Sequence, residues 1–81
     1  MTSIAKETTM IEITIFPMRT LPEGSATIAE RPIEPDSWDV LVRDENGDVL
    51  DEADDIKTYA AVETVLAAFL LKYPDADVEE L

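Results

Sequence analysis

The chain has 81 residues, among them nineteen acidic and six basic side chains, and its net charge at pH 7 is −13. It contains neither cysteine nor histidine, so we expect no disulfide bridge, no metal centre, no cofactor and no imidazole catalysis. The charge would repel nucleic acids and anionic membranes, which disfavours direct binding to either and favours a basic protein partner.

The length and the placement of polar residues predict one small domain with two polar ends. We expect residues 1–9 to form a flexible N-terminus, residues 10–74 to form the domain, and residues 75–81 to form a loose, acidic tail. No apolar run approaches the roughly 20 residues of a membrane span, and the N-terminus lacks a signal-peptide core. Together with the absence of cysteine, this predicts a cytoplasmic protein.

The first predicted strand runs from Met10 to Phe16. Its apolar residues alternate with polar ones, so Ile11, Ile13 and Ile15 share one face. We expect Pro17 to end this strand, because proline has no N–H to donate to a sheet.

Residues 17–36 contain four of the five prolines of the chain. The prolines exclude a long strand or helix here, yet a structureless loop of about 20 residues would be unusual in so small a domain. We therefore predict a short edge strand at 26–30 inside an otherwise irregular segment. The alternative is a loop that lies over the helix predicted at 58–73.

Two further strands are predicted to form a hairpin. The residues from Ser37 to Arg43 alternate between apolar and polar, and the dipeptide Asn46-Gly47 follows them. Asn-Gly between two alternating segments is the strongest short-range signal for a hairpin turn. The returning strand, 48–53, is rich in charge, which suits an edge exposed to water.

Residues 58–73 have the pattern of one amphipathic helix. Thr58 is a suitable N-cap, and Pro74 cannot continue the helix. Apolar residues spaced three and four apart predict the stripe that faces the core: Val62, Val65, Leu66, Phe69, Leu70 and Tyr73.

These elements predict an α+β fold, a three- to four-stranded antiparallel sheet with one C-terminal amphipathic helix packed on one face. We expect Trp38 and Phe69 to be buried in one core. The helix also has a second, mostly apolar strip on its opposite side, formed by Ala60, Thr64, Ala67 and Leu71. Three interpretations of this strip stay open: cover by the segment 17–36, a homodimer surface, or a groove for another partner.

The densest acidic segment is 44–55, with seven acidic residues in twelve positions. Carboxylates two residues apart in a strand are separated by about 6.6–6.8 Å, close to the roughly 6–7 Å between successive phosphates of a nucleic-acid strand. A row of such carboxylates, together with the acidic tail, would offer the Lys and Arg side chains of a DNA-binding cleft the contacts that phosphates make. The alternative is a solvated edge that discourages the addition of another strand. The residues predicted to contact a partner are Asp44, Glu45, Asp48, Asp51, Glu52, Asp54, Asp55, Asp75, Asp77, Glu79 and Glu80.

Calcium binding and catalysis fit the sequence poorly. The acids of 44–55 partly match the spacing of an EF-hand loop, but Val49 stands where that loop requires glycine, and the flanking segments are predicted strands. Three serines without any histidine offer no activated nucleophile of the usual kind. We therefore predict neither a metal site nor an enzyme.

In size, acidity, absence of cysteine and histidine, and the acidic hairpin from Arg43 to Glu52, the chain resembles small phage and mobile-element inhibitors, namely anti-CRISPR and DNA-mimic anti-restriction proteins. The resemblance implies a non-enzymatic inhibitor that occupies a Lys/Arg-rich, nucleic-acid-binding surface of a host complex. Two alternatives remain: an acidic antitoxin-like partner of a basic toxin, and a structural or assembly protein whose charge only keeps it in solution.

Overall fold

The structure, a computed structural model, describes residues 10–81. The predicted flexible N-terminus, residues 1–9, lies outside the described residues. Along the described chain the elements are β1 (Glu12–Thr20), β2 (Ala26–Ile28), β3 (Ser37–Arg43), β4 (Val49–Ile56), α1 (Tyr59–Lys72) and β5 (Asp77–Glu80).

The strands form one sheet in which β2, β1, β3 and β4 lie side by side in that order, and each neighbouring pair is antiparallel. β5 lies along the side of β1 that faces away from β3, and it runs parallel to β1. α1 packs against β3 and β4 on one face of the sheet. The predicted α+β fold is confirmed, and a parallel fifth strand extends the sheet beyond the four strands expected.

The core lies between α1 and the sheet. Its buried members come from β1, β3, β4 and α1: Ile13, Ile15, Val40, Val42, Ile56 and Val62. The rest of the predicted stripe of α1 packs around this cluster, as does Trp38, whose ring meets that of Tyr59 edge-on at a centroid distance of 5.8 Å. Trp38 and Phe69 thus share one core as predicted, although each keeps part of its surface exposed.

Both ends of α1 follow from the predicted signals. The hydroxyl of Thr58 accepts a hydrogen bond of 3.1 Å from the N–H of Ala61, which satisfies one of the free donors of the first turn. The helix ends at Lys72, and Pro74 follows its C-cap, Tyr73. The prediction of the helix and of its N-cap is confirmed.

Pro17 does not end β1, contrary to the prediction, and the strand continues to Thr20. The carbonyl of Pro17 accepts from the N–H of Ala29 at 2.8 Å, so the backbone groups of Pro17 point away from β3. On that side β1 pairs with β5 over residues 12–15 and with β2 over residues 18–20. The missing N–H therefore falls between two partner strands, where neither one needs a donor.

Residues 75–81 are not a loose tail, contrary to the prediction, because most of them belong to the sheet. The N–H of Asp77 donates to the carbonyl of Ile11 at 2.9 Å, and the N–H of Leu81 donates to that of Ile15 at 3.1 Å. These bonds give β1 a neighbour on the side away from β3. The sequence does not reveal this strand, because its four residues are three acids and one valine and show no apolar alternation.

The segment 17–36 does not cover the second strip of α1, so the interpretation of that segment as a cover for the strip is wrong. Leu71 is 87% exposed, and Ala60 and Ala67 are exposed as well. The segment forms β2, as the prediction of a short edge strand required, and then passes near Trp38 and Tyr59 at the other end of the helix. Along the way it makes two tight turns, in which the N–H of Gly24 donates to the carbonyl of Leu21 and the N–H of Ile33 donates to that of Glu30.

Candidate acidic interaction surface

β4 lies at an edge of the sheet, as predicted, but the acids of 44–55 do not form one row along it. Its pairing with β3 is irregular at two places, and at one of them Asp55 has a positive φ of 56°. Such bulges insert an extra residue and disturb the alternation of side chains between the two faces. Asp51 contacts α1, whereas its neighbour Glu52 is opposite Leu41 on the other face.

Asp51 is bound to the helix instead of being free for a partner. One of its carboxylate oxygens accepts from the ammonium group of Lys72 and from the hydroxyl of Tyr73, both at 2.7 Å. These bonds, first the one from Lys72, lower the pKa of Asp51, and they raise the pKa values of Lys72 and Tyr73. Asp51 therefore joins β4 to the C-terminal end of α1, which the sequence pattern did not predict.

Three more predicted contact residues have partners within the fold. The carboxylate of Asp44 accepts from the backbone N–H groups of Asn46 and Asp48, at 2.9 and 3.0 Å, and so stabilises the hairpin turn. Asp55 forms a 2.7 Å ion pair with Lys57. Glu45 accepts a longer hydrogen bond, 3.4 Å, from the backbone of Met10.

The acids of the C-terminal segment lie at the opposite edge of the sheet from β4, so the structure does not bring the two acidic segments together. Glu80 is on the helix face and accepts from the hydroxyl of Tyr59 at 2.6 Å, which raises the pKa of Tyr59. Asp77 and Glu79 are in register with Glu12 and Thr14 and therefore belong to the other face.

The remaining predicted contact residues are exposed and make no side-chain ion pair or hydrogen bond with another residue of 10–81. They lie in the hairpin, in β4, after α1 and in β5: Asp48, Glu52, Asp54, Asp75, Asp77 and Glu79. Nothing within residues 10–81 pairs with their charge, whereas the carboxylates of Asp51, Asp55 and Glu80 have partners within the fold.

Three of these exposed acids, Glu52, Asp77 and Glu79, lie on the face of the sheet opposite α1, which we call the helix-free face. Within residues 10–81 no helix packs on this face. It comprises the side chains of β1, β3, β4 and β5 that alternate with the core residues: Glu12, Thr14, Phe16, Met18, Ser37, Asp39, Leu41, Arg43, Val49, Glu52, Asp77 and Glu79.

The register orders these residues into rows across the sheet. One row reads Glu79, Thr14, Leu41 and Glu52 from β5 to β4. A second row reads Asp77, Glu12, Arg43 and Val49 from β5 to β4. Toward the other end of β1 the face becomes apolar, with Phe16 next to Asp39 and Met18 next to Ile28. The inner strands thus carry three apolar residues, Phe16, Met18 and Leu41, together with Asp39 and Arg43, and at the row of Leu41 carboxylates stand on both flanks.

Arg43 is the one cation among the residues of the helix-free face. Its guanidinium carbon lies 6.0 Å from the centroid of the Phe16 ring, and one terminal nitrogen donates to the hydroxyl of Thr14 at 3.4 Å. Its Nε is buried without a hydrogen-bond acceptor among residues 10–81. Beside it a depression of about 370 Å³ is lined by Met10, Glu12, Asp44, Glu45 and Gly47 together with Arg43.

Glu12, Phe16 and Met18 were not among the predicted contact residues. The signal for Phe16 was present, because the alternation that buries Ile13 and Ile15 places it on the opposite face. Only the continuation of the strand beyond Pro17 adds Met18 to that surface.

Among residues 10–81 there is no group of three or more acidic side chains arranged to hold a metal ion. The same residues include no helix with the length and the apolar character that crossing a bilayer requires. The whole chain was compared with protein-family models, with curated proteins and with solved structures, and none of the three comparisons gave a match.

Proposed function

We propose that this protein is a non-enzymatic, acidic inhibitor that binds a basic protein partner in the cytoplasm of a host cell and occupies the surface with which that partner binds nucleic acid. This is the anti-CRISPR or DNA-mimic type of action. The observation that carries the proposal is the separation of the acids into two groups. Some are neutralised inside the fold, while Glu52, Asp54, Asp77 and Glu79 are exposed and free of partners among the described residues.

Free surface carboxylates favour this function because of their long-range field. A net charge of −13 attracts a basic surface at a distance and raises the rate of encounter, while it repels nucleic acid itself. The partner must then be a protein that carries an excess of Lys and Arg, and a nucleic-acid-binding surface is the commonest place for such an excess.

An inhibitor without catalytic activity agrees with the state of the carboxyl groups. Acid–base catalysis by carboxylates needs one group with a raised pKa. Hydrogen bonds lower the pKa of Asp36, chiefly through the backbone of Thr20, and that of Asp51 through Lys72. Both are therefore carboxylates at neutral pH and serve as acceptors.

The test compares two sets of four charge reversals in tagged protein added to a lysate of its native host. The first set replaces Glu52, Asp54, Asp77 and Glu79 with lysine, and the second replaces Glu23, Glu30, Glu34 and Glu63. All eight residues are exposed, and each set changes the net charge by the same amount.

We expect the wild-type protein and the second set to bind one basic partner at low salt and to release it as the salt concentration rises. Both should also displace labelled nucleic acid from that partner. The first set should lose both binding and displacement by orders of magnitude, because it inverts the local field. Equal losses from both sets would show that total charge decides, and a partner that keeps its nucleic acid would contradict the proposal. A basic toxin as partner would favour the antitoxin-like alternative.

A further inference from the structure

The chemistry of the helix-free face differs from that of an ordinary solvated sheet face. When a sheet has one side packed and one side in water, its strands alternate between apolar residues inside and polar residues outside. Here the outward positions of β1 and β3 include Phe16, Met18 and Leu41, and each is only half-buried. An apolar surface of this kind next to charged residues is typical of a protein-binding site.

We propose that the helix-free face binds a basic amphipathic helix of the partner, with the apolar stripe of that helix on Phe16, Met18 and Leu41 and with its Lys and Arg side chains on the two acidic flanks. This inference rests on the proposed function and names the kind of segment that the acidic surface recognises.

The width of the face fits a helix. Glu79 and Glu52 stand at the two ends of one row, separated by the strands β1 and β3. Three strand-to-strand spacings of about 4.8 Å place their strands roughly 14 Å apart. An α-helix with its side chains is about 10–12 Å across, so it fills the space between the flanks. Lysine and arginine can lay their aliphatic stems on the apolar centre while their charged groups reach the carboxylates.

Five carboxylates against one cation, Arg43, favour a basic occupant of this face over a second copy of this chain. The exposed side of α1 carries no row of Lys or Arg; its charged residues are Glu63 and Lys72 only. A second copy would also bring another net charge of −13. Nor does a bare polycation match, because it would leave the apolar surface of Leu41 and Phe16 unused and would meet the cation Arg43 beside Phe16.

The test uses two synthetic 14-residue peptides of equal positive charge as probes. In the first, leucines form one helical stripe and lysines flank it; in the second, glutamines replace the leucines. Binding to the full chain is measured by titration calorimetry, and the site is located from changes in backbone amide shifts by NMR. We expect the leucine peptide to bind about tenfold more tightly and to shift the amides of Thr14, Leu41 and Glu79.

Two matched variants separate the helix-free face from the rest of the surface. Leu41→Thr removes apolar area from the centre of the face, and Leu71→Thr makes the same change on the exposed side of α1. The first should weaken the leucine peptide by about tenfold and the second should leave its affinity unchanged. Amide shifts measured on the wild-type protein locate the site even if Leu41→Thr proves unstable.

Equal affinity for the two peptides, or amide shifts concentrated on α1, would overturn the inference. In that case loss of binding on reversal of Glu52 and Glu79 would still support the charge-based function, so the two proposals can fail separately. Failure of both peptides to bind would overturn the amphipathic helix as ligand, whereas the displacement of nucleic acid from the host partner tests the proposed function itself.

Discussion

Asp51 shows how one carboxylate can look like part of a binding surface and instead hold the fold together. It lies in an acidic run, yet it is in register with Val42, whose side chain is buried in the core, and its own side chain is 28% exposed. From there it reaches two donors at the end of α1. Both donors stand 21 or 22 residues further along the chain, so no local pattern could have revealed the contact.

Replacement of Asp51 by asparagine should lower the stability of the domain near neutral pH. The pKa of Asp51 is lowered in the folded state, so its contribution is present above the ordinary pKa of aspartate, about 3.9, and is lost as the pH falls through the folded value. The difference in melting temperature between wild type and Asp51→Asn should therefore be largest above pH 5 and shrink toward pH 2.

Glu52→Gln is the matched control, because Glu52 is exposed and has no partner among residues 10–81. It should leave the melting temperature nearly unchanged throughout the same pH range. A difference for Asp51→Asn that is independent of pH would contradict the role assigned to its carboxylate.

At the scale of elements, the local signals were sufficient where they act within a few residues. The cap, the apolar stripe and the final proline define α1, and Asn46-Gly47 defines the turn between β3 and β4. Signals that depend on tertiary neighbours were insufficient. Pro17 is tolerated because two strands leave a gap beside it, and β5 is a strand because β1 has a free edge.

The N-cap of α1 gives a prediction at this scale. Thr58→Ala should lower the free energy of unfolding by about 1 kcal/mol, because the N–H of Ala61 loses its acceptor. Thr58→Asn should retain most of the stability, since asparagine is an equally good N-cap. Chemical denaturation measures both, and equal losses from the two substitutions would show that the cap is not the cause.

Self-association through Ala60, Ala67 and Leu71 stays a prediction. Because Leu71 is 87% exposed, Leu71→Asp should leave the melting temperature of the isolated domain unchanged. If the strip forms a homodimer, the substitution should produce monomers in sedimentation experiments, because an aspartate would be buried in an apolar contact. A monomeric wild-type protein would remove the dimer hypothesis.

At the scale of the whole molecule, the sequence predicted the fold class, the excess of acid and the edge position of β4, but not the distribution of that acid. The strand register decides on which face of the sheet each acidic side chain lies. Asp77 and Glu79 lie on the helix-free face because they are in register with Glu12 and Thr14. The seven acids of 44–55 indicated one continuous surface. In the structure they are separated, because some lie in the hairpin turn, the β3–β4 pairing is irregular, and Asp51 binds α1.

Deletion of residues 77–81 should destabilise the whole domain and not merely shorten it. The deletion removes the backbone bonds to Ile11 and Ile15, and it exposes the side of β1 that adjoins the core. We expect a lower melting temperature and a greater tendency to aggregate. As a control, Asp77→Asn with Glu79→Gln keeps the strand and should melt close to the wild type; a truncated protein that also melts at the wild-type temperature would contradict the assignment of β5.

The pairing of β5 with β1 also governs when the protein can fold during its synthesis. β1 is the first of the described strands in chain order, while β5, which pairs with residues 12–15 of β1 on the side away from β3, comes after the other five elements. A nascent chain that ends before Asp77 leaves residues 12–15 of β1 without a neighbour on that side, in a form open to pairing with other chains. The sheet of the described residues is therefore complete only once β5 has been made, although β1, its parallel neighbour, comes first in their order.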